Sequence, residues 1–422
     1  MSRPWEVDLP ESWRRKPFWT EFRRAKTLGD GNEEMLSVYR DYGVIPKASR
    51  DDNFNKASED LSKYQLVARG DLVINKMKAW QGSLGVSAYD GIVSPAYFVY
   101  KGVGSLNRRF AHYLLRSRGY ADHMAAISSG IRPNQWDLDP LQLSATPLLV
   151  PPVAEQEAIA DFLDRETARI DAFIAKNIEL ITLLTERRAT VIRRALMWGS
   201  QGVAPNTSPV DHDSTEGTSQ WDASGLLRYA STISGVGFPE VEQGLEGEPI
   251  AFYKVNALGR ADRDGVIRAS WDTISYATAG RLRATVLPAG SLVMAKIGAA
   301  LLLGRVRRTS RLACIDNNMM ALIPTSDLDS QFAAYVVETM DFALFVNPGA
   351  VPSLNTYAFM HYKVGVPPIE TQREIVRHLD AAVLASHTTV ETVERAINLA
   401  RERRAALISA AVTGKFDVGV AG

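Results

Sequence analysis

The sequence has little of the chemistry that covalent or metal cross-links need. Among its 422 residues there is one cysteine, Cys314, so an internal disulfide and a cysteine-based zinc site are both excluded. We expect Cys314 to be a small core residue. The six histidines show neither the H-x-x-x-H nor the H-E-x-x-H spacing of metal ligands, so no metal site is predicted.

Long apolar runs and an excess of one charge are also missing. No stretch approaches the roughly 20 apolar residues of a membrane-spanning helix, and the opening MSRPWEVDLPESWRRKPF lacks the apolar core of a signal peptide, so a cytoplasmic location is expected. The 48 basic and 48 acidic residues balance, unlike the basic surplus of many nucleic-acid-binding proteins. Basic clusters do occur locally, for instance between Arg305 and Arg311.

Nucleotide-binding motifs are absent as well. The Gly-Lys pair at Gly414 is followed by Phe416 and has no upstream glycine at P-loop spacing, so ATP hydrolysis by this chain is not expected. The segment GVGSLN, from Gly102, lacks the third glycine of a dinucleotide-binding loop. No plausible set of catalytic residues remains.

What the sequence does contain is a repeat. VPPVAEQEAIADFLD begins at Val150 and VPPIETQREIVRHLD at Val366, and the gapless alignment continues through a Glu-Arg-Arg-Ala motif for about 45 residues per copy. Apolar residues recur at heptad spacing, which predicts two long helices that pair along one stripe. The predicted helix-pair interface consists of Leu163, Ile170, Ile174, Ile181, Leu184, Leu379, Val383, Val390, Val393, Ile397 and Leu407.

The repeat also divides the chain. Strand-like runs such as LVIN and SLVMAKI mix with helical spacing ahead of each Pro-Pro pair, so each copy is a mixed α/β domain followed by a long helix. The predicted parts are a first domain at 1–150, a first helix at 151–198, a linker at 199–220, a second domain at 221–366, a second helix at 367–413 and a tail at 414–422. The fold class is α+β with an approximate internal two-fold repeat.

Both domains carry polar and aromatic residues on loops beside lysines and arginines. Arg, Lys, Asn and Gln side chains pair with base edges or reach phosphates, so these loops are candidates for DNA binding, although any one residue could equally be an ordinary turn residue. In the first domain the candidates are Lys76, Lys78, Trp80, Gln81, Arg132, Asn134 and Gln135. In the second they are Lys296, Arg305, Arg307, Arg308, Asn317, Asn318, Ser353 and Asn355.

The whole pattern resembles the specificity subunit of type I restriction-modification systems. Two Pro-Pro-x-x-x-Gln-x-x-Ile-x-x-x-Leu-Asp blocks, at Pro151 and Pro367, carry the resemblance, and each is followed by a heptad helix with Glu-Arg-Arg-Ala. The segments GDLVINKMKAWQGSLGVS and GIVSPAYFVYK are similar to the target-recognition domains of that family. The resemblance spans essentially the full chain.

The resemblance implies a function and partners. It implies two target-recognition domains, each reading half of a split DNA site, and two spacer helices packed as an antiparallel coiled coil that sets the gap. A subunit of this kind has no catalysis or cofactor of its own. It docks two adenine methyltransferase subunits that use S-adenosylmethionine and two restriction subunits that use ATP and Mg. Recognition domains vary between members, so no motif supports the individual base contacts.

Two other functions remain open on the sequence. A stand-alone DNA adenine methyltransferase would need a cofactor loop, and SPAY, at Ser94–Tyr97, lacks the second proline of the loop that holds a flipped base. A purely structural coiled-coil protein would leave the two similar domains unexplained.

Overall fold

The structure, a computed structural model, describes residues 5–6, 8–40, 42–50, 60–132, 135–199 and 221–415, without the side chains of residues 131, 132 and 135. The chain divides into two compact units. Unit 1 holds residues 1–177 and 395–422, and unit 2 holds residues 178–394. The predicted linker from residue 200 onward and the predicted tail from residue 416 onward lie outside the described residues.

Short strands and helices precede the first long helix. The strands are β1 (Arg14–Pro17), β2 (Phe22–Ala25), β3 (Leu36–Tyr39), β4 (Gly43–Pro46), β5 (Gln65–Val67), β6 (Leu72–Asn75), β7 (Leu84–Val86), β8 (Gly91–Val93), β9 (Tyr97–Gly102), β10 (Ser128–Arg132), β11 (Gln135–Leu138) and β12 (Pro147–Val150). The helices are α1 (Phe18–Glu21), α2 (Arg108–Arg116), α3 (Arg118–Ala126), α4 (Pro140–Ala145) and the long α5 (Val153–Trp198).

The second half of the chain repeats this arrangement. Its strands are β13 (Ala223–Gly225), β14 (Ala230–Ser234), β15 (Ile250–Tyr253), β16 (Val266–Ile267), β17 (Thr273–Ile274), β18 (Leu292–Ala295), β19 (Val306–Thr309), β20 (Ala313–Ile315), β21 (Met319–Pro324), β22 (Val346–Asn347), β23 (Ser353–Leu354) and β24 (Lys363–Gly365). Its helices are α6 (Tyr276–Leu282), α7 (Ala299–Leu302), α8 (Ser330–Glu338), α9 (Thr356–His361) and the long α10 (Ile369–Val412).

The main sheets of the two units match strand for strand. In unit 1 the order is β2-β9-β6-β7, and in unit 2 it is β14-β21-β18-β19 with β16 added at the edge. Leu72 of β6 lies opposite Tyr100 of β9, and Leu292 of β18 lies opposite Leu322 of β21. The α+β class with an internal repeat is therefore confirmed.

The central strand of each sheet is apolar on both faces. Because side chains alternate along a strand, Leu72 and Ile74 of β6 enter one core cluster while Val73 enters another. In unit 2, Leu292 and Met294 of β18 enter one core cluster and Val293 enters another. These strands lie in the middle of their sheets, which is why LVIN and LVMA read as unbroken apolar runs. Cys314 is fully buried in unit 2, as expected.

A buried glutamine lies in the first turn of each long helix. The Gln156 side chain is 0% exposed, donates from Nε2 to the Pro151 carbonyl at 2.8 Å and accepts at Oε1 from the Asn107 N–H at 2.6 Å. Asn107 is the N-cap of α2. The helices begin two residues after the predicted positions, at Val153 and Ile369, because the Pro-Pro pair lies just before the first turn.

Unit 2 repeats the same connection. Gln372, also 0% exposed, donates to the Pro367 carbonyl at 2.7 Å and accepts from the N–H of Asp329, the N-cap of α8, at 2.8 Å. Each glutamine thus joins a long helix to the start of a domain helix. The repeated Pro-Pro-x-x-x-Gln sequence is explained by this hydrogen-bond pattern.

The aspartate that closes each repeated block makes a second connection. Tyr113 of α2 donates its hydroxyl to Asp164 at 2.6 Å, and Tyr335 of α8 donates to Asp380 at 2.6 Å. Burial, together with the Asp164 carboxylate, raises the pKa of Tyr113 to about 12, so its phenol stays protonated as the donor. Each domain helix is therefore fixed against its long helix at two points.

The long helices pair within each unit. In unit 1 the beginning of α5 and the end of α10 share one apolar cluster, to which Leu163 and Leu407 both belong, and Arg404 Nε lies 2.9 Å from Asp171 Oδ1. In unit 2 the end of α5 and the beginning of α10 share another, with Ile192 near Leu379. Start packs with end in both units, so the pairing is antiparallel, as predicted.

The predicted stripe faces inward along both helices. Leu163, Leu379, Val383, Val393 and Ile397 are buried. The remaining predicted positions are half-buried, namely Ile170, Ile174, Ile181, Leu184, Val390 and Leu407. Ile159, Ile192, Ile375 and Ala411 are also buried, although the heptad pattern did not select them. They enter the domain cores near the helix ends.

Replacing Gln156 with Met should destabilise unit 1. The substitution leaves the Asn107 N–H and the Pro151 carbonyl without their buried partner, at a cost of about 1–3 kcal/mol for each unpaired group. Urea unfolding followed by tryptophan fluorescence measures the change. Gln142→Met, at an exposed position of the same unit, should stay within about 0.5 kcal/mol; equal effects of the two variants would contradict the bridging role.

The inward stripe can be tested with two leucines on one helix. Leu379→Ala, at a position that is 0% exposed, should lower the unfolding free energy of unit 2 by about 2–5 kcal/mol. Leu384→Ala, five residues further along α10 and 54% exposed, should change it by no more than about 0.5 kcal/mol. Denaturation monitored by circular dichroism distinguishes them, and a large loss in the Leu384 variant would show that the stripe is assigned to the wrong face.

Candidate nucleic-acid interface

A loop and a hairpin meet where β6 ends in unit 1. The Lys76 N–H donates to the Ala96 carbonyl at 3.2 Å, and the Lys76 carbonyl accepts from the Leu138 N–H, at the end of the β10–β11 hairpin, at 3.0 Å. The strand end, the start of β9 and the hairpin are thereby held together by main-chain bonds.

The side chains of this loop form a polar and aromatic surface. The Trp80 ring lies 5.0 Å from the Trp136 ring, and its Nε1 donates to the Met77 carbonyl at 3.2 Å. Lys78 is exposed, whereas Lys76 and Gln81 are half-exposed. Lys76 Nζ is 4.0 Å from Asp137, a contact that leaves its charge accessible. We call residues 76–81 with the β10–β11 hairpin surface 1.

The predicted hairpin residues are only partly described. Arg132 and Gln135 pair across the two strands, but their side chains, and the whole of Asn134, lie outside the described residues. Trp136 belongs to surface 1 although the sequence pattern did not select it. Its position beside Gln135 on a polar segment was the available signal.

Unit 2 builds the same junction around Lys296. The Lys296 N–H donates to the Asn318 carbonyl at 2.8 Å, and its carbonyl accepts from the Leu354 N–H, on the β22–β23 hairpin, at 2.8 Å. Asn317 and Asn318 are exposed in the turn before β21, and Ser353 is half-exposed on the hairpin. We call Lys296, Asn317, Asn318 and Ser353 surface 2; it matches surface 1 in its main-chain connections.

The predicted arginines of unit 2 fall into two places. Arg305 is exposed and precedes Val306, which pairs with Met294, so it lies at the Lys296 end of the sheet and we include it in surface 2. Arg307 is half-buried, with Nε donating to the Leu258 carbonyl at 3.1 Å, and burial lowers the pKa of its guanidinium. Arg307 and Arg308 both line a cavity beside the long helices, away from the Lys296 loop.

Asn355 has a structural task that sequence reasoning did not foresee. It is the N-cap of α9, and its side-chain oxygen accepts from the Ala358 N–H at 3.0 Å. The equivalent cap in unit 1 is Asp139, which precedes α4. The acceptor of Asn355 is therefore already engaged within the domain.

A second cleft of unit 2 carries an exposed tryptophan that the sequence analysis did not single out. The Arg260 guanidinium lies 4.0 Å over the Trp271 ring, beside Lys254, which is held by Asp272 at 2.8 Å. The cleft has a volume of about 310 Å³.

The described residues contain neither a membrane-spanning helix nor a metal-binding cluster. In that part of the chain, no helix combines the length and apolarity needed to cross a membrane. Over the same residues, His, Cys, Asp and Glu side chains nowhere form a group of three or more that could hold a metal ion.

Known proteins resemble this chain in sequence over one region and in fold over nearly all of it. Residues 252–395 match the family model of the type I restriction modification DNA specificity domain. No curated protein matches the chain at a significant level.

Among solved structures, one chain from a study of complex assembly and conformational transition of the type I R-M system superposes with a TM-score of 0.71. It is 14% identical, and the alignment covers 97% of this chain and 100% of that one, so the two share a fold. The HsdS subunit from Thermoanaerobacter tengcongensis is 16% identical over 97% and 99% of the chains, with a TM-score of 0.47. The S subunit from M. genitalium is 14% identical over 97% and 99%, with a TM-score of 0.41.

The capping role of Asn355 makes a direct prediction. Asn355→Ala should lower the stability of unit 2 by about 1 kcal/mol, and Asn355→Ser, which keeps a capping oxygen, should retain most of it. Thermal unfolding of the two variants measures the difference. Asn317→Ala, in the exposed turn before β21, provides the reference; a loss there as large as in Asn355→Ala would argue against a specific cap.

Proposed function

We propose that the chain belongs to the DNA specificity family of type I restriction-modification systems, whose model matches residues 252–395, and that it reads a DNA target in two separate halves. Surface 1 would contact one half and surface 2 the other. The observation that carries the proposal is the equivalent construction of the two surfaces around Lys76 and Lys296, each beside a hairpin. Two similar DNA-binding surfaces in one chain suit a target with two parts.

The chemistry of the surfaces supports DNA as the ligand. Lys78 and Arg305 are exposed cations that can contact phosphates or the O6 and N7 atoms of guanine. Asn317 and Asn318 present amides in a turn, and an amide can pair bidentately with adenine. Since the chain has no net charge, its DNA affinity would depend on such local groups and on partner subunits.

The long helices would set the spacing between the half-sites. Helix α5 has 46 residues and α10 has 44. At 1.5 Å per residue each is about 65 to 70 Å long, enough to separate two readers by one DNA turn of roughly 34 Å. We infer that the helix pair is a rigid spacer, so the gap between the half-sites is fixed.

We further propose that the chain is a scaffold without catalysis of its own. Its partners would be two methyltransferase subunits that bring S-adenosylmethionine and two restriction subunits that bring ATP and Mg. The structural study whose chain shares this fold concerns assembly of such a system, which supports the proposal. A stand-alone methyltransferase would bind S-adenosylmethionine by itself, so calorimetry of the isolated chain with that cofactor separates the two functions.

Single substitutions on the two surfaces should affect different halves of the target. Lys78→Ala should reduce discrimination at the first half-site and Arg305→Ala at the second, each by about 1–3 kcal/mol if the contact is to a base. Fluorescence anisotropy with the methyltransferase partner present measures binding to the intact target and to targets with one half randomised.

Two cations at the opposite ends of the same sheets serve as controls. Lys101 lies near the end of β9, and Arg228 precedes β14, which pairs from Ala230 opposite Pro324. Lys101→Ala and Arg228→Ala should leave discrimination unchanged. The proposal fails if no variant changes either half, or if the wild-type complex binds all sequences equally.

A further inference from the structure

The two copies of the repeat differ in their charged residues at one place beside the long helices of unit 2. Arg188 and Arg404 occupy the same position of the Glu-Arg-Arg-Ala motif, and Asp171 and His387 are likewise aligned by the repeat. In unit 1 Arg404 pairs with Asp171 at 2.9 Å. In unit 2 a histidine stands where that carboxylate would be, and Arg188 pairs with Glu338 of α8 instead, at 2.7 Å.

Strand β19 of unit 2 also differs in charge from the corresponding strand β7 of unit 1. In unit 1 Leu72 of β6 pairs with Val86, and in unit 2 the equivalent Leu292 of β18 pairs with Arg308. The adjacent pairs are Val73 with Gly85 and Val293 with Arg307. Two arginines in unit 2 therefore replace a valine and a glycine of unit 1.

Helix α8 of unit 2 has a smaller side chain at this place than the corresponding helix α2 of unit 1. His112 precedes Tyr113 in α2, and Ala334 precedes the equivalent Tyr335 in α8. In unit 1 the His112 imidazole lies against the strand at the place that corresponds to the arginines, where its Nδ1 accepts from the Val86 N–H at 3.3 Å; burial lowers its pKa to about 4, so it is neutral. In unit 2 a cavity of about 180 Å³ is present, lined by Arg188, Arg307, Arg308, Gln331, Ala334 and His387, among others.

The charges around this cavity do not balance locally. Arg263 is paired with Glu391, and Asp262 and Asp264 are both bound by Arg268. Arg188 is paired with Glu338. The Arg307 side chain donates only to the carbonyls of Leu258 and Val306, although Glu338 lies within electrostatic range of it. The Arg308 side chain makes no hydrogen bond or ion pair to any described residue, although Asp264 lies within electrostatic range. Two guanidinium charges are left without a bound carboxylate.

Buried polar atoms without partners occur in the same lining. The Nε atoms of Arg188 and Arg308 and the Oε1 of Gln331 are buried, with no hydrogen-bond partner among the described residues. Gln331 Nε2 donates to Asp380 at 3.3 Å, which fixes Oε1 as the unpaired end. Such atoms are rare in native interiors because each costs free energy unless a ligand or water satisfies it.

We propose that this cavity of unit 2 binds a phosphate group through Arg307 and Arg308, with Arg188 and His387 closing it from the long helices. The planar guanidinium offers parallel N–H donors that match phosphate oxygens. Gln331 Oε1 accepts from a protonated phosphate oxygen or from a water beside it. The phosphate is either free in solution or part of a DNA backbone, and the two sources share the same recognition chemistry.

Calorimetric titration of the full chain with inorganic phosphate, against chloride at equal ionic strength, tests the site. Wild type should bind, and Arg308→Gln should bind roughly 10- to 100-fold more weakly, as expected when one charged hydrogen bond is lost. Arg228→Gln removes an exposed charge of the same unit outside the cavity lining and should keep the wild-type affinity. Absence of phosphate binding, or equal weakening by the two substitutions, would overturn the proposal.

Two further variants restore features of unit 1 without touching the arginines. Ala334→His should fill the cavity and abolish binding, and His387→Asp should introduce the competing carboxylate and weaken it. Retained wild-type affinity in both would contradict the site, and circular dichroism verifies folding.

A fluorescent duplex of arbitrary sequence identifies the source of the phosphate. Displacement of the duplex by inorganic phosphate indicates that the cavity binds a backbone phosphate, and no displacement indicates free phosphate. The phosphate titration involves no DNA, so its outcome is independent of two-part target reading.

Discussion

The buried glutamines Gln156 and Gln372 impose the constraint on which the rest of the structure depends. Each side chain bonds to the proline carbonyl just before a long helix and to the N-cap amide of a domain helix. A glutamine buried without both partners would be costly, so the domain and the helix can adopt essentially one relative position. The Tyr–Asp bonds about two turns further along reinforce that position. The proposed reading of DNA by a surface held on a spacer would require this rigidity.

The two copies keep this framework and differ in the side chains that surround it. The main-chain bonds around Lys76 and Lys296 are equivalent, yet the side chains that surround them differ: two tryptophans adjoin the first lysine and two asparagines the second. The same holds beside the long helices, where His112 in one copy corresponds to Ala334 in the other. A common scaffold with different surfaces is what a protein needs to read two unlike half-sites.

Much of this arrangement could be predicted from the sequence. The repeat, the two long helices, the antiparallel stripe and the central strands follow from local periodicity, which the chain displays within a few turns or strands. Helix starts were predicted two residues early because Pro-Pro marks the approach to a helix rather than its first turn. The capping role of Asn355 and the placement of Arg307 and Arg308 against the long helices depend on residues distant in sequence. Periodicity does not report such contacts, and it did not select Trp136 for the same reason.

The central claim is that one chain reads a target with two halves at a fixed distance. Co-expression of the chain with its methyltransferase partner, followed by sequencing that detects N6-methyladenine across a genome, tests this most directly. The account predicts one methylated motif made of two short specific parts separated by a constant number of unspecified base pairs. A single continuous motif, or a gap of variable length, would contradict it.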